Sequence, residues 1–198
     1  MCWIVAAQTV FAQNYYREGV YTDGYDLKAG GITFEVRSNG LDIILDNVTN
    51  ELLNKPIVRL EGTSLTLEEY EALEEGELDI PSVQTAFRET FTESEYRALQ
   101  AGKDYMSLYM NISPEGRMTE VVFFIEGTPR TRAVPPEKYA LLEKNLKTYL
   151  RYRVSDDEKR LQFFRLDVPI AFRHLGLYEK DALMVTSGGQ PGPDSELH

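Results

Sequence analysis

Cysteine, histidine and tryptophan are nearly absent from this chain: one Cys, two His and one Trp among 198 residues. A single thiol, Cys2, excludes a disulfide framework within the chain and a cysteine-based zinc site. With only His174 and His198 present, chemistry that needs several histidines is excluded by count. No apolar run approaches the roughly 20 residues that a membrane-spanning helix requires. Positive charge is also scarce. Lys and Arg number 21 against 32 Asp and Glu, a formal net charge of −11, which repels phosphate backbones and anionic lipid alike. The densest basic stretch, residues 144–153, is short and interleaved with apolar side chains, so nucleic acid is not an expected partner. There is no G-x-S-x-G elbow, no phosphate loop and no dinucleotide fingerprint.

What the chain does have is apolar and aromatic bulk. Hydrophobic residues make up 42%, with 12 Tyr and 9 Phe. Burial of such surface stabilises by about 25 cal/mol per Å², so a genuine core is expected, in one ordinary domain or two small ones. At the front, Cys2-Trp3-Ile4-Val5-Ala6-Ala7 is apolar, and Val10 and Ala12 occupy the −3 and −1 places before Gln13. Small residues there are what signal peptidase accepts. Residues 1–12 therefore read as the back half of a signal peptide, the alternative being a buried N-terminal strand of a cytosolic protein. On the first reading the mature chain begins near Gln13, lacks cysteine and suits an oxidising compartment, periplasmic or secreted.

Ile32, Phe34 and Val36 alternate with Thr33, Glu35 and Arg37, the period of a half-buried strand. Asn39-Gly40 follows, then an apolar run to Leu45; this predicts a hairpin on a type I′ turn. A further strand is expected at residues 56–60. Two segments then echo each other: Thr66-Leu67-Glu68-Glu69-Tyr70-Glu71-Ala72-Leu73 and Thr92-Glu93-Ser94-Glu95-Tyr96-Arg97-Ala98-Leu99. Each reads as a short helix with an N-cap Thr, Glu in its first turn, and a C′ glycine, Gly76 or Gly102. A looser third copy begins at Pro135-Pro136-Glu137-Lys138-Tyr139. Duplication of a strand–helix unit and chance reuse of good helix starts both explain the echo.

In the second half, Leu108, Met110 and Ile112 alternate with Tyr109 and Asn111, and Pro114-Glu115-Gly116-Arg117 makes a turn. Residues 118–125 return as a more buried strand. A helix is predicted over 136–150, with Tyr139, Leu142, Leu146 and Tyr149 on one face. Phe164, Leu166, Val168, Ile170 and Phe172 mark a last strand, and the tail 187–198, rich in Gly, Pro and acidic residues, reads as disordered.

The order of helix, strand, Ser113-Pro114-Glu115-Gly116-Arg117 turn, strand with Thr119-Glu120-Val121, helix and strand ending Asp167-Val168-Pro169-Ile170-Ala171-Phe172 resembles the TonB C-terminal domain. The likeness covers residues 92–174. It implies a β-β-α-β unit and a partner bound by strand addition, without the membrane anchor and Pro-rich arm of an energy transducer. The whole chain also resembles uncharacterised exported families of Gram-negative bacteria.

Chemical candidates are few. His174 stands beside Arg173 at a strand end, with no Ser or Cys nucleophile marked for it. The acidic clusters Glu68-Glu69, Glu74-Glu75-Gly76-Glu77 and Asp156-Asp157-Glu158 lack the one-three-five spacing of a calcium loop and read as solvated faces and turns. Tyr15, Tyr16, Tyr21 and Tyr25, and later Tyr105 and Tyr109, are either contact residues for proteins and glycans or half-buried strand residues. The expectation is an α+β fold of antiparallel hairpins with short helices packed on the sheet. It would comprise an N-terminal β-rich unit, 13–89, and a TonB-like unit, 90–186. No catalytic, cofactor-binding or metal residue is singled out, and no cofactor is expected. The expected role is that of an exported binding protein whose partner, an envelope protein or glycan, adds to a sheet edge at residues 105–112 or 163–172. The rival is a small cell-wall or glycan hydrolase using a carboxylate pair.

Overall fold

The structure, a computed structural model, describes residues 14–17, 22–52 and 55–178. The expected signal peptide, Tyr21 and the polar tail lie outside the described residues. In chain order the elements are β1 (Thr22–Ala29), β2 (Ile32–Ser38), β3 (Asp42–Asn47), α1 (Leu67–Glu71), β4 (Glu77–Leu78), α2 (Ile80–Arg88), α3 (Glu93–Gly102), β5 (Tyr105–Ile112), β6 (Met118–Glu126), α4 (Pro129–Arg132), α5 (Pro136–Tyr149), β7 (Tyr152–Arg153) and β8 (Phe164–Ala171). Six strands form one sheet in the order β1-β2-β3-β6-β5-β8, every neighbouring pair antiparallel, and β4 pairs separately with β7. The fold is α+β, with short helices on a largely antiparallel sheet.

Alternation decides which side each strand buries. Phe34 and Val36, Ile43 and Leu45, Phe123 and Ile125, and Met106, Leu108 and Met110 all turn to one face and are buried. Onto that face pack Val83, Ala86 and Phe87 of α2, Tyr96 and Leu99 of α3, and Tyr139, Leu142 and Leu146 of α5. The Tyr139 ring meets Phe123 at 5.7 Å, and Phe172 meets Phe87 and Phe91 at 6.1 Å each. The expected division after residue 89 falls just behind α2. Strands from both sides of it share the sheet through β3 and β6, where Ile43 faces Ile125 and Leu45 faces Phe123.

Several local expectations are corrected. The type I′ turn lies at Gly30-Gly31, between β1 and β2, where φ is +57° and +86°. At the β2–β3 turn only Gly40 has positive φ, +92°. Asn39 stays outside the turn proper, and its side-chain oxygen accepts from the amides of Leu41 (3.0 Å) and Asp42 (2.7 Å). Residues 56–60 form no strand: Val58 and Arg59 make single bridges to Ser64 and Leu161. Gly76 and Gly102 are not C′ residues. They are small because a Cβ on Gly76 would strike the Arg153 carbonyl and the Tyr152 ring, and one on Gly102 would strike the Arg130 guanidinium. Residues 105–112 are not an edge, since β5 lies between β6 and β8. After α5 crosses the helical face, β8 returns alongside β5, which makes the first strand of that hairpin interior.

Candidate functional site

The helices of the core cover one face of the sheet. The other is crossed at its Glu120–Asn111–Arg165 end by the segment after β3, where Asn50 donates to the Val121 carbonyl (3.0 Å), Glu120 accepts from the amides of Glu51 and Leu52, and Arg165 donates to the Leu52 carbonyl. It is open elsewhere among the described residues. An antiparallel sheet tolerates this because each strand alternates between core and solvent. The register brings residues far apart in sequence into rows across the open face. One row runs Asp26–Glu35–Asp46–Val122–Tyr109–Asp167 through all six strands. The next runs Arg37–Ile44–Phe124–Ser107–Pro169, and beyond it Asp42 faces Glu126 and Tyr105 faces Ala171. A partly exposed apolar middle of Ile44, Phe124 and Tyr109 is thus bordered by carboxylates.

The acidic end lies beside β1. Asp26, Glu35 and Asp46 are direct cross-strand neighbours, an arrangement in which like charges repel. Arg37 spans two of them, with Nη2 3.3 Å from Asp46 and Nε 3.7 Å from Glu35. Asp46 also accepts from the Asn50 amide at 2.9 Å. Burial nevertheless pushes the Asp46 carboxyl above its ordinary pKa, and Glu35 and Glu120 add to the rise against the opposing pull of Asn50 and Arg37. Together with Gly24, Asn47, Val48 and Asn50 these residues line a shallow depression of about 340 Å³. Glu35 leans towards β1, and a Cβ on Gly24 would come within 2.6 Å of its carboxylate.

Which backbone groups of the two edge strands face outward follows from two hydrogen bonds. The Val48 amide donates to Thr33 at 3.0 Å, so Thr33 bonds towards β3 and its neighbours Ile32, Phe34 and Val36 towards β1. Their partners Ala29, Leu27 and Tyr25 are therefore bonded to β2, and Asp26 and Lys28 turn N–H and C=O away from the sheet, while the register shifts between Thr22 and Tyr25. At the far edge the Phe172 amide donates to Asp104 at 3.2 Å, which leaves Arg165, Asp167, Pro169 and Ala171 facing outward. Pro169 has no N–H to offer, and the Arg165 carbonyl already accepts from the Tyr70 hydroxyl at 3.2 Å. Just before β8, Gln162 donates to Val58 at 2.9 Å. A proline on an edge strand is a common way to discourage pairing. The β8 edge is partly closed; among the described residues no strand pairs with the outer edge of β1.

The other residues marked in the sequence scatter. His174 sits exposed in a short turn after β8. Glu69 closes a capping box on Thr66, whose amide holds its carboxyl down to about 2, with Arg59 adding to the effect. Glu158 is buried and accepts from Tyr152 Oη (2.8 Å) and the amides of Ser155 (2.9 Å) and Gly76 (3.1 Å), anchoring the β4–β7 ladder. Tyr16 is buried with its hydroxyl on the Val134 carbonyl at 3.2 Å, while Tyr25 lies under the Arg17 guanidinium at 4.3 Å. Tyr105 and Tyr109 both stand on the open face. An apolar cavity of about 280 Å³ lies between Tyr15, Phe91, Leu99 and Val134. Its one carboxylate among the described residues, Glu95, is held by the Thr92 cap and by Lys138 at 2.7 Å, which leaves it little to orient a ligand with. Among the described residues no group of three or more His, Cys, Asp or Glu is arranged to hold a metal ion, and no helix is long and apolar enough to cross a membrane.

The open-faced sheet with helices on one side defines a class of α+β protein in which function is not written in the fold. One solved structure of this shape is that of a DUF5043 family protein from Bacteroides uniformis, 20% identical with a TM-score of 0.59 over 78% of this chain and 94% of that one. At that identity the likeness shows a shared fold and nothing finer. No family model matches the sequence, and no curated protein matches it.

Proposed function

We propose that this chain is an exported, non-enzymatic binding protein that captures an extended segment of a partner, such as an envelope protein, as an added strand along β1. The observation that carries the reading is the row of outward backbone groups at Asp26 and Lys28, which no other strand pairs among the described residues, next to a face that an added strand would continue. The β-β-α-β order of the second half and its resemblance to the TonB C-terminal domain support strand addition as the mode, transferred here from the expected edges to the opposite one. Lys28→Pro is the direct test, because it removes an outward N–H and no β1–β2 bond. A partner drawn from envelope extract by the wild type and by Lys28→Ala, but not by a folded Lys28→Pro, is the expected result. Retention by Lys28→Pro would sink the reading.

The rival, a glycan hydrolase, has one observation in its favour. Asp46, with its raised carboxyl, and the neighbouring Glu35 are the two roles such chemistry needs. Against it, the depression is open and has no facing wall among the described residues. Release of reducing ends from peptidoglycan by the wild type, abolished in Asp46→Asn, would reverse the preference.

A further inference from the structure

Resting on the β1 reading, we infer that the captured segment is basic, with Lys or Arg placed opposite Asp26 on the open face of the sheet. An added strand becomes the seventh member of each row, and in the row Asp26–Glu35–Asp46 its side chain would stand directly beside Asp26. The three carboxylates of that row meet one guanidinium, that of Arg37 in the next row, which reaches Glu35 and Asp46. Of the other cations at this edge, Arg17 lies over the Tyr25 ring, and Lys28 stands on the same face as Asp26 one row nearer the turn, opposite Thr33. The position beside Asp26 therefore sees uncompensated negative charge, while the position beside Lys28 favours a neutral or acidic side chain. The apolar middle of the face continues inward from the acids, so small or β-branched residues suit the remaining places. The chain's own −11 charge adds a long-range field of the same sign, and a strand bearing carboxylates would meet repulsion both on approach and in register.

The test uses three blocked peptides of about ten residues that share an alternating Thr/Val background and differ only at one central open-face position, the one to stand beside Asp26, which carries Lys, Ser or Glu. Binding to the whole chain is followed by amide shifts and hydrogen exchange. The Lys peptide is expected to bind, to protect the amides of Asp26 and Lys28, and to exceed the Ser peptide by roughly fivefold and the Glu peptide by more. That preference is expected to shrink in high salt and in Glu35→Gln/Asp46→Asn. Equal binding of the Lys and Ser peptides with the same protection would overturn the basic-partner inference and leave the β1 reading standing. Binding of the Lys peptide that leaves those amides unprotected, and that persists in folded Lys28→Pro, would overturn the β1 reading itself. Absence of binding by all three at ~1 mM, where even weak strand pairing is measurable, would overturn both.

Discussion

Asp46 shows how one residue reports on the electrostatics of the open face. Its carboxyl is held above the ordinary range chiefly by burial, with Glu35 and Glu120 contributing. A carboxyl whose pKa is higher in the folded state favours folding below its unfolded pKa and loses that contribution as the pH rises through the folded one. At neutral pH the charge on Asp46 is thus a cost, only partly offset by its ion pair with Arg37. Asn at this position keeps an oxygen for the Asn50 amide and removes the charge. Asp46→Asn is expected to raise stability at pH 7 by roughly 0.2–1 kcal/mol, with the gain disappearing at pH 3, where the native side chain is itself protonated. Urea titrations at the two pH values check this, and a loss of stability at pH 7 would contradict it. Little at this scale was legible beforehand. Asp26, Glu35 and Asp46 lie on three strands, and only the register makes them neighbours. Gly76 and Gly102 were visible as special, but for the wrong reason: periodicity suggests a helix end, whereas the need comes from Arg153 and Arg130 approaching from elsewhere in the chain. No local pattern carries such a contact.

At the scale of elements, the two echoed segments separate local signal from tertiary use. Both form helices, and both close the same capping box, Thr66 with Glu69 and Thr92 with Glu95. The caps were readable because they act within four residues. What was not readable is that α3 buries Tyr96 and Leu99 in the core, whereas α1 buries nothing. Thr92→Ala is therefore expected to cost about 1 kcal/mol of global stability. Thr66→Ala should fray α1 and leave the global midpoint within error, because local opening need not unfold the rest. Denaturation midpoints, together with amide exchange at residues 67–71, distinguish the two; an equal global loss would refute the contrast. Longer elements with a clean period, β2, β5, β6, α5 and β8, follow the sequence closely. Two of the longer elements were missed although their signals were present, as was short α4, which Thr128-Pro129 starts with a capping Thr and an early proline. Asp79-Ile80-Pro81 starts α2 with an acidic N-cap residue and an early proline, and Tyr25, Leu27 and Ala29 alternate up to Gly30-Gly31. The second omission hid the edge on which the proposed function rests.

At the scale of the whole molecule, strand order is the property that local patterns cannot express. Alternation identifies strands, yet nothing in it says that β3 pairs with β6 or that β8 lies beside β5. These pairings turn two expected units into one sheet, and they determine which edges are open. The junction is well buried: Leu45 on β3 and Phe123 on β6 are each 0% exposed and face each other across it. Helix α5, from the second half, packs against β1 as well as β6, and its Ala140 closes on Gly30. Cores shared in this way unfold together. A single transition is therefore expected, with far-UV and near-UV circular dichroism in urea giving the same midpoint. Leu45→Ala, which opens a cavity on the N-terminal side of the junction, should lower that midpoint for both signals by an amount equivalent to about 2–5 kcal/mol. The near-UV signal makes the test sharp, because buried tyrosines such as Tyr96 and Tyr139 belong to the second half. If Leu45→Ala shifted the far-UV transition and left theirs in place, the halves would be independent. The edge at β1 would then belong to a small sheet of its own, whose local opening could compete with any strand added to it.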